Sequence, residues 1–171
     1  TEEFIAFKFV KQLAKFTKPI IVAVAGPAVG IGTTLLLHSD YIIAANNSKF
    51  KLPFSQLGLC PEAGSSAILP LKLGHNKAFE LVVLGDLFFA EQALNYQIIN
   101  KCCEPSELLS MTKQVAESIA KLPQDSVLTA RKLLKQTNQA AVEQAISNEA
   151  EQFTRLLDTD DCKTIMQKFF G

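Results

Sequence analysis

Lys18-Pro19-Ile20-Ile21-Val22-Ala23-Val24-Ala25-Gly26-Pro27-Ala28-Val29-Gly30-Ile31-Gly32-Thr33-Thr34-Leu35-Leu36-Leu37 decides the fold. Residues 20–24 are β-branched and apolar without alternation, the pattern of a strand buried on both faces. Gly26, Pro27 and Gly30 then punctuate the chain, and 30–39 reads as a short buried helix. A strand that turns through glycines into a helix gathers backbone N–H groups at the helix start. An anion, or an oxygen gaining charge, can be held there.

Outward from this unit, 2–17 carries Phe4, Phe7, Val10, Leu13 and Ala14 at helical spacing, with Lys8, Lys11 and Lys15 opposite. That predicts an amphipathic helix. Strands are expected at 40–45, 49–52 and 98–102, a Pro/Gly-bounded loop at 53–64, helices at 64–73 and 75–84, and a helical turn at 90–96. From Pro105 no strand signal remains, and 105–121, 124–137, 139–157 and 159–169 all read as amphipathic helices. An α/β part, 1–103, therefore passes into a helical region, 104–171, without a Gly/Ser linker, so the helices should pack on a neighbour. Three or four strands are few for a covered parallel sheet, and the chain reads as though it begins partway through a fold.

Composition narrows the function. Lys+Arg and Asp+Glu number 17 each, which gives no basic footprint for nucleic acid or an anionic membrane. No apolar run reaches the roughly 18 residues of a membrane span. The acidic start, Thr1-Glu2-Glu3, has no signal-peptide form. Cys60, Cys102, Cys103 and Cys162 lack CxxC spacing and metal-ligand partners, and only His38 and His75 could help them. Reduced thiols of an intracellular protein and no metal site are the expectation.

Two places can carry chemistry. Gly30-Ile31-Gly32-Thr33-Thr34-Leu35 fails the dinucleotide pattern GxGxxG at its third glycine, and no Lys follows Gly32 as a P-loop requires. The glycines either permit a tight turn only, or set the Ile31 N–H as an oxyanion donor. The second place is Leu57-Gly58-Leu59-Cys60-Pro61-Glu62-Ala63-Gly64-Ser65-Ser66. Glu62 is the only acid between Asp40 and Glu80, set among apolar residues ahead of a helix that Ser65 or Ser66 would cap. Burial would raise its pKa and the helix start would lower it. It either favours that helix start, worth roughly 0.3–1 kcal/mol, or works as a lone carboxylate base. Thr33 and Thr34 read as hydroxyls bonded back to their turn, His38 as a capping or core residue, Cys60 as packing, and Ser55 and Gln56 as loop contacts. The charges of 104–168 read as a solvated face.

These motifs together resemble the crotonase (enoyl-CoA hydratase/isomerase) superfamily. The likeness runs through 18–32, Ser39-Asp40-Tyr41, Phe50 to Gly58, Pro61-Glu62-Ala63-Gly64, Leu84-Gly85-Asp86 and Ala90 to Asn100. The resemblance implies a ββα spiral core whose N-terminal part precedes Thr1, followed by a helical trimerisation region. It implies an acyl-CoA substrate, no separate cofactor, a homotrimer or hexamer, and a cytoplasmic, peroxisomal or mitochondrial setting, although Lys168-Phe169-Phe170-Gly171 is no Ser-Lys-Leu address. The thioester oxygen would be held by the Ile31 N–H and by a second donor from an upstream segment. Pro27, Val29, Gly30 and Gly32 would lie along the substrate, and Phe54, Leu57 and Leu59 would line the acyl tunnel.

Where hydratases of that family carry two catalytic glutamates, this chain has Thr34 and Phe54. Pro61-Glu62-Ala63-Gly64-Ser65-Ser66 instead resembles the motif of peroxisomal-type Δ3,Δ2-enoyl-CoA isomerases, whose single Glu is the base. The implied activity is conversion of 3-enoyl-CoA to trans-2-enoyl-CoA with Glu62 as base. Another acyl-CoA reaction on the same fold, or a non-catalytic acyl-CoA-binding or scaffolding module, is the alternative.

Overall fold

A computed structural model describes residues 5–170. Thr1 to Phe4, the expected start of the first helix, and Gly171 lie outside the described residues. Helix α1 (Ile5–Lys15) buries Phe7 and Val10, three residues apart on one face. The chain then enters β1 (Ile21–Val24), bends at Gly26, and continues as β2 (Pro27–Val29). The two strands belong to different sheets. Ser48 braces the bend: its hydroxyl donates to the Val24 carbonyl at 2.9 Å and accepts from Gly26 N at 3.2 Å.

The next pair repeats the move. β3 (Tyr41–Ala45) joins β1 in parallel, with Ile21 opposite Tyr41, and β4 (Lys49–Lys51) joins β2 in parallel, with Val29 opposite Lys51. β6 (Lys101–Cys103) completes the first sheet in the order β1-β3-β6. β5 (Phe88–Phe89) completes the second, antiparallel to β4. Strand, strand, helix therefore succeed one another, one strand to each sheet, which is the expected ββα spiral. Between the sheets and their helices lies the main core, where Phe50 stacks on Phe88 with ring centroids 5.5 Å apart among Leu36, Leu52, Leu69 and Leu81.

β2 and β5 escape a sequence reading because three and two residues are too short for alternation to register. β6 begins later than expected because Gln97 takes φ 57° and the N–H groups of Ile98 and Ile99 both turn back to the Ala93 carbonyl, closing α5 (Ala90–Asn95). The expected helix at 75–84 is α4 (His75–Phe79) running into a π turn, Glu80–Leu84.

The helical region packs back on this core. α6 (Leu108–Ala120) covers β1 and β3, with Leu108 against Ile43, Ala45 and Cys103. α7 is one helix, Gln124–Leu157, where two were expected on either side of Asn138. Asn costs a helix only a few tenths of a kcal/mol, and both halves of α7 are anchored. In the first half Arg131 Nε donates to Asp40 Oδ2 at 2.8 Å, Arg131 Nη1 to the Phe16 carbonyl at 2.6 Å, and Lys135 Nζ to the His38 carbonyl at 2.6 Å. In the second, Val142 and Ile146 pack on Val10 and Ala63. The charges of this region are thus not all a solvated face, since Arg131 and Glu149 are buried. A last helix, α8 (Asp160–Phe170), follows.

Ahead of α3 (Ser65–Leu73), Gly64 adopts φ +72°, and a Cβ there would come within 2.9 Å of Val142 Cγ1 and 3.2 Å of Ile146 Cγ1. Gly64→Ala is therefore expected to destabilise the protein by roughly 2–4 kcal/mol, combining left-handed strain with overpacking. Gly30→Ala, at φ +54° with open space around the added carbon, should lose only the strain part. Denaturant midpoints of the two variants check the difference.

Candidate active site

Ile31 opens α2 (Ile31–Thr34), which continues as a 3-10 turn, Leu35–His38. The turn before it depends on Gly30, whose φ of 54° and ψ of −119° suit no side-chain-bearing residue. Gly30 N donates to the Lys51 carbonyl at 2.9 Å, so the end of β4 holds the turn in place. The Gly30 carbonyl accepts from Thr33 N at 2.9 Å and Thr34 N at 3.0 Å. As first residue of the helix, Ile31 has no helical carbonyl for its own N–H, which leaves that donor uncommitted within α2.

Glu62 and Ile31 both line a cavity of about 410 Å³. Val29, Gly30, Phe54, Leu57 and Leu59 share the wall, while Pro27 and Gly32 are not part of it. Pro27 is taken up in β2 opposite Lys49, and Gly32 in the interior of α2. Among the described residues Glu62 is the one ionisable side chain of the lining. It is 6% exposed. Burial drives its pKa up to about 6, against the Thr34 hydroxyl, which lowers it; the nearby Glu149 carboxylate adds to the rise. A carboxylate buried in an apolar cleft and titrating near neutrality has the properties general-base chemistry needs.

Three contacts fix the Glu62 segment. Thr34 Oγ1 donates to Glu62 Oε1, a bond well closer than its 3.4 Å approaches to the Gly30 and Ile31 carbonyls. Thr34 thus keeps long contacts to its own turn, as expected, and is tied more closely across to the loop, which was not expected. The His38 Nε2–H donates to the Ala63 carbonyl at 2.6 Å. That bond assigns the tautomer, and burial lowers the His38 pKa, so the ring is a neutral core donor. It supports a residue in an unfavourable conformation, since Ala63 has φ 60°. Finally Ser65 Oγ donates to the Glu62 carbonyl at 2.6 Å.

That last bond removes Ser65 as a helix cap. The cap of α3 comes from α7 instead: Glu149 Oε2 accepts from Gly64 N at 2.6 Å, and Oε1 from Ser66 N at 2.8 Å. Burial pushes the Glu149 pKa up, and these bonds oppose the rise. The Cys60 thiol, also pushed up by burial, lies 3.8 Å from the Glu149 carbonyl and has no activating partner, as a packing residue should. Gln56 Nε2 donates to the Leu84 carbonyl at 2.6 Å, a loop contact.

A reading of the sequence misses Glu149 and the part of the cavity lining formed by Ala6 and Phe7 of α1 with Phe153 and Leu157 of α7. Phe7 meets Phe153 edge to face, centroids 5.7 Å apart. One signal existed: Val142, Ile146, Glu149 and Phe153 fall on a single i, i+4, i+7, i+11 stripe, so an acid sits where the apolar seam of α7 runs. Among the described residues no group of His, Cys, Asp and Glu is arranged to hold a metal ion, and no helix is long and apolar enough to cross a membrane.

Two sheets threaded by strand–strand–helix units, with a carboxylate and a helix-start residue lining one apolar cavity, form a crotonase-like fold. The chain belongs to the enoyl-CoA hydratase/isomerase family, whose profile matches residues 3–170. It is 40% identical over 114 residues to 1,2-epoxyphenylacetyl-CoA isomerase of Escherichia coli (strain K12), covering 67% of this chain and 44% of that protein. It is 33% identical over 162 residues to crotonyl-CoA hydratase of Syntrophomonas wolfei, covering 95% and 62%. The fold matches an enoyl-CoA hydratase/isomerase from Pseudoalteromonas atlantica with a TM-score of 0.94 at 32% identity, over 99% of this chain and 69% of that one. Pseudomonas aeruginosa OdaA matches with a TM-score of 0.93 at 38% identity, over 95% and 66%. The chain thus spans about half to two thirds of the curated relatives' length. Enzymes of this family act on CoA thioesters without a separate cofactor.

Proposed function

We propose that the protein isomerises 3-enoyl-CoA to trans-2-enoyl-CoA, with Glu62 as the only proton carrier. The observation that supports it is that, among the described residues, a single ionisable side chain, buried and with a pKa raised to about 6, lines an otherwise apolar cavity that Ile31 also lines. The Glu62 carboxylate removes a C2 proton. The C–H electron pair forms the C1–C2 double bond as the thioester carbonyl becomes an enolate oxygen. Conjugation with C3–C4 makes this a dienolate, whose oxygen the Ile31 N–H stabilises. Protonated Glu62 then delivers the proton to C4, the electrons close the C2–C3 double bond, and the carbonyl is restored. Nothing is added overall, so one carboxylate suffices. Thr34 and Phe54 stand at the positions where hydratases hold their acids, and among the described residues no second carboxylate lines the cavity. The apolar wall excludes water that would exchange the carried proton. Exposed Leu133 and Leu134 on α7 fit the trimer or hexamer that the family resemblance implies.

The test is conversion of a series of 3-enoyl-CoA esters by the whole protein, followed by the appearance of the 2-enoyl product. The kcat/KM profile is expected to rise with pH on an acid limb of apparent pKa about 6, because Glu62 must be ionised to accept the C2 proton. A flat profile through that range would remove Glu62 as base. The 40% identity to an epoxyphenylacetyl-CoA isomerase favours, as a second reading, isomerisation of a different acyl-CoA by the same base, and the substrate panel separates the two.

A further inference from the structure

We infer that Thr34 is a positioning residue that holds Oε1 of Glu62 and so leaves Oε2 as the one oxygen that takes and returns the substrate proton. The inference rests on the reading of Glu62 as the base. Thr34 is fully buried, on the helix that Ile31 opens, and its side chain reaches across 28 residues of sequence to Glu62. A hydroxyl carries a single proton. Its alternative acceptors, the Gly30 and Ile31 carbonyls, are each 3.4 Å away, so Glu62 Oε1 is the partner geometry selects. Among the described residues no donor bonds Glu62 Oε2, while Glu62 lines the cavity.

The two carboxylate oxygens are therefore unequal. A hydrogen bond donated to Oε1 lowers that oxygen's affinity for a further proton, so the C2 proton settles on Oε2. Protonation there leaves Oε1 carbonyl-like and still able to accept from Thr34. The carboxyl group needs no rotation between removing the proton and returning it. The same helix carries the amide that faces the developing oxyanion, so base and oxyanion donor share one rigid support.

Among the described residues the charged and titratable groups around Glu62 are few. α7 presents Glu149, which acts on Glu62, and Arg155, which acts on Cys60; the loop itself presents Cys60; α1 contributes only Ala6 and Phe7 to the cavity; and His38, behind Ala63, is neutral.

The test compares Thr34→Val, which keeps the shape and removes the hydroxyl, with Thr34→Ser, which keeps the hydroxyl. Both are made in the full natural chain. The Glu62 carboxyl is followed by 13C NMR titration, and kcat and KM are measured on 3-enoyl-CoA. Thr34→Val is expected to move the Glu62 titration and the acid limb of the rate profile to higher pH, since a bond favouring the charged form is gone. It should lower kcat about tenfold with KM little changed. Thr34→Ser should return both toward the natural protein. A titration that stays put in Thr34→Val overturns the inference. So does one that moves to lower pH, the direction expected if the substitution merely opened the pocket to water. If the natural protein turns over no 3-enoyl-CoA while the titration moves as expected, the isomerase reading fails and the Thr34–Glu62 coupling stands.

Discussion

Glu62→Gln should lower kcat by about 10³ while KM for 3-enoyl-CoA changes little, because a positioned acid–base group contributes roughly 10²–10⁴ and the amide cannot carry the proton. The substitution is nearly isosteric, and its carbonyl oxygen can still accept from Thr34 Oγ1, so the side chain keeps its place. Ile31, Phe54 and Leu57, which also line the cavity, are untouched by the substitution. Binding without turnover is the expected signature, read as an unchanged affinity for a 2-enoyl-CoA product together with a collapsed rate. Turnover within tenfold of the natural protein would mean that the proton moves by another route.

The second large effect should come from a residue outside the cavity lining. Glu149→Ala removes both acceptors at the start of α3 and leaves the Gly64 and Ser66 N–H groups without a partner. Gly64 is buried, so its N–H bears most of the desolvation penalty, whereas Ser66 is exposed and can turn to water. A loss of about 2–4 kcal/mol is expected, which for a chain of this size is a fall in Tm of roughly 5–15 °C. The Ala63–Gly64 turn, left-handed at both residues, should loosen with it, and Glu62 with the turn. kcat should therefore drop further than the unfolded fraction accounts for. Glu149→Gln, able to accept one of the two bonds, should recover about half the stability. A melting temperature unchanged in Glu149→Ala would show that the cap contributes nothing.

What could be read from residues alone follows a physical division. Elements whose signal lies within a few neighbours were legible: the non-alternating run of β1, the amphipathic stripe of α1, the glycines before α2, and the isolated acid at Glu62. That Glu62 and Ile31 would line one cavity followed from the family resemblance, and the fold brings them there. Contacts between distant segments were not legible. Thr34 was expected to bond its own turn because that acceptor is the nearest in sequence, yet the folded loop brings a better one. Ser65 looked like a cap for the same reason, and a helix more than 80 residues downstream outcompetes it. The two short strands and the continuity of α7 are likewise decided by pairing and anchoring rather than by propensity.

The 34-residue α7 gives the molecule an unusual dependence. In its first half it clamps the end of α1 and the start of β3 through Arg131 and Lys135, and about four turns beyond Lys135 it supplies Glu149 to the start of α3 and then Phe153 to the cavity wall. Any event that shortens or displaces it, whether a protease nick, a splice variant or a graft of the sheet core into another scaffold, would dismantle the pocket from behind while every residue of the glycine turn stayed intact.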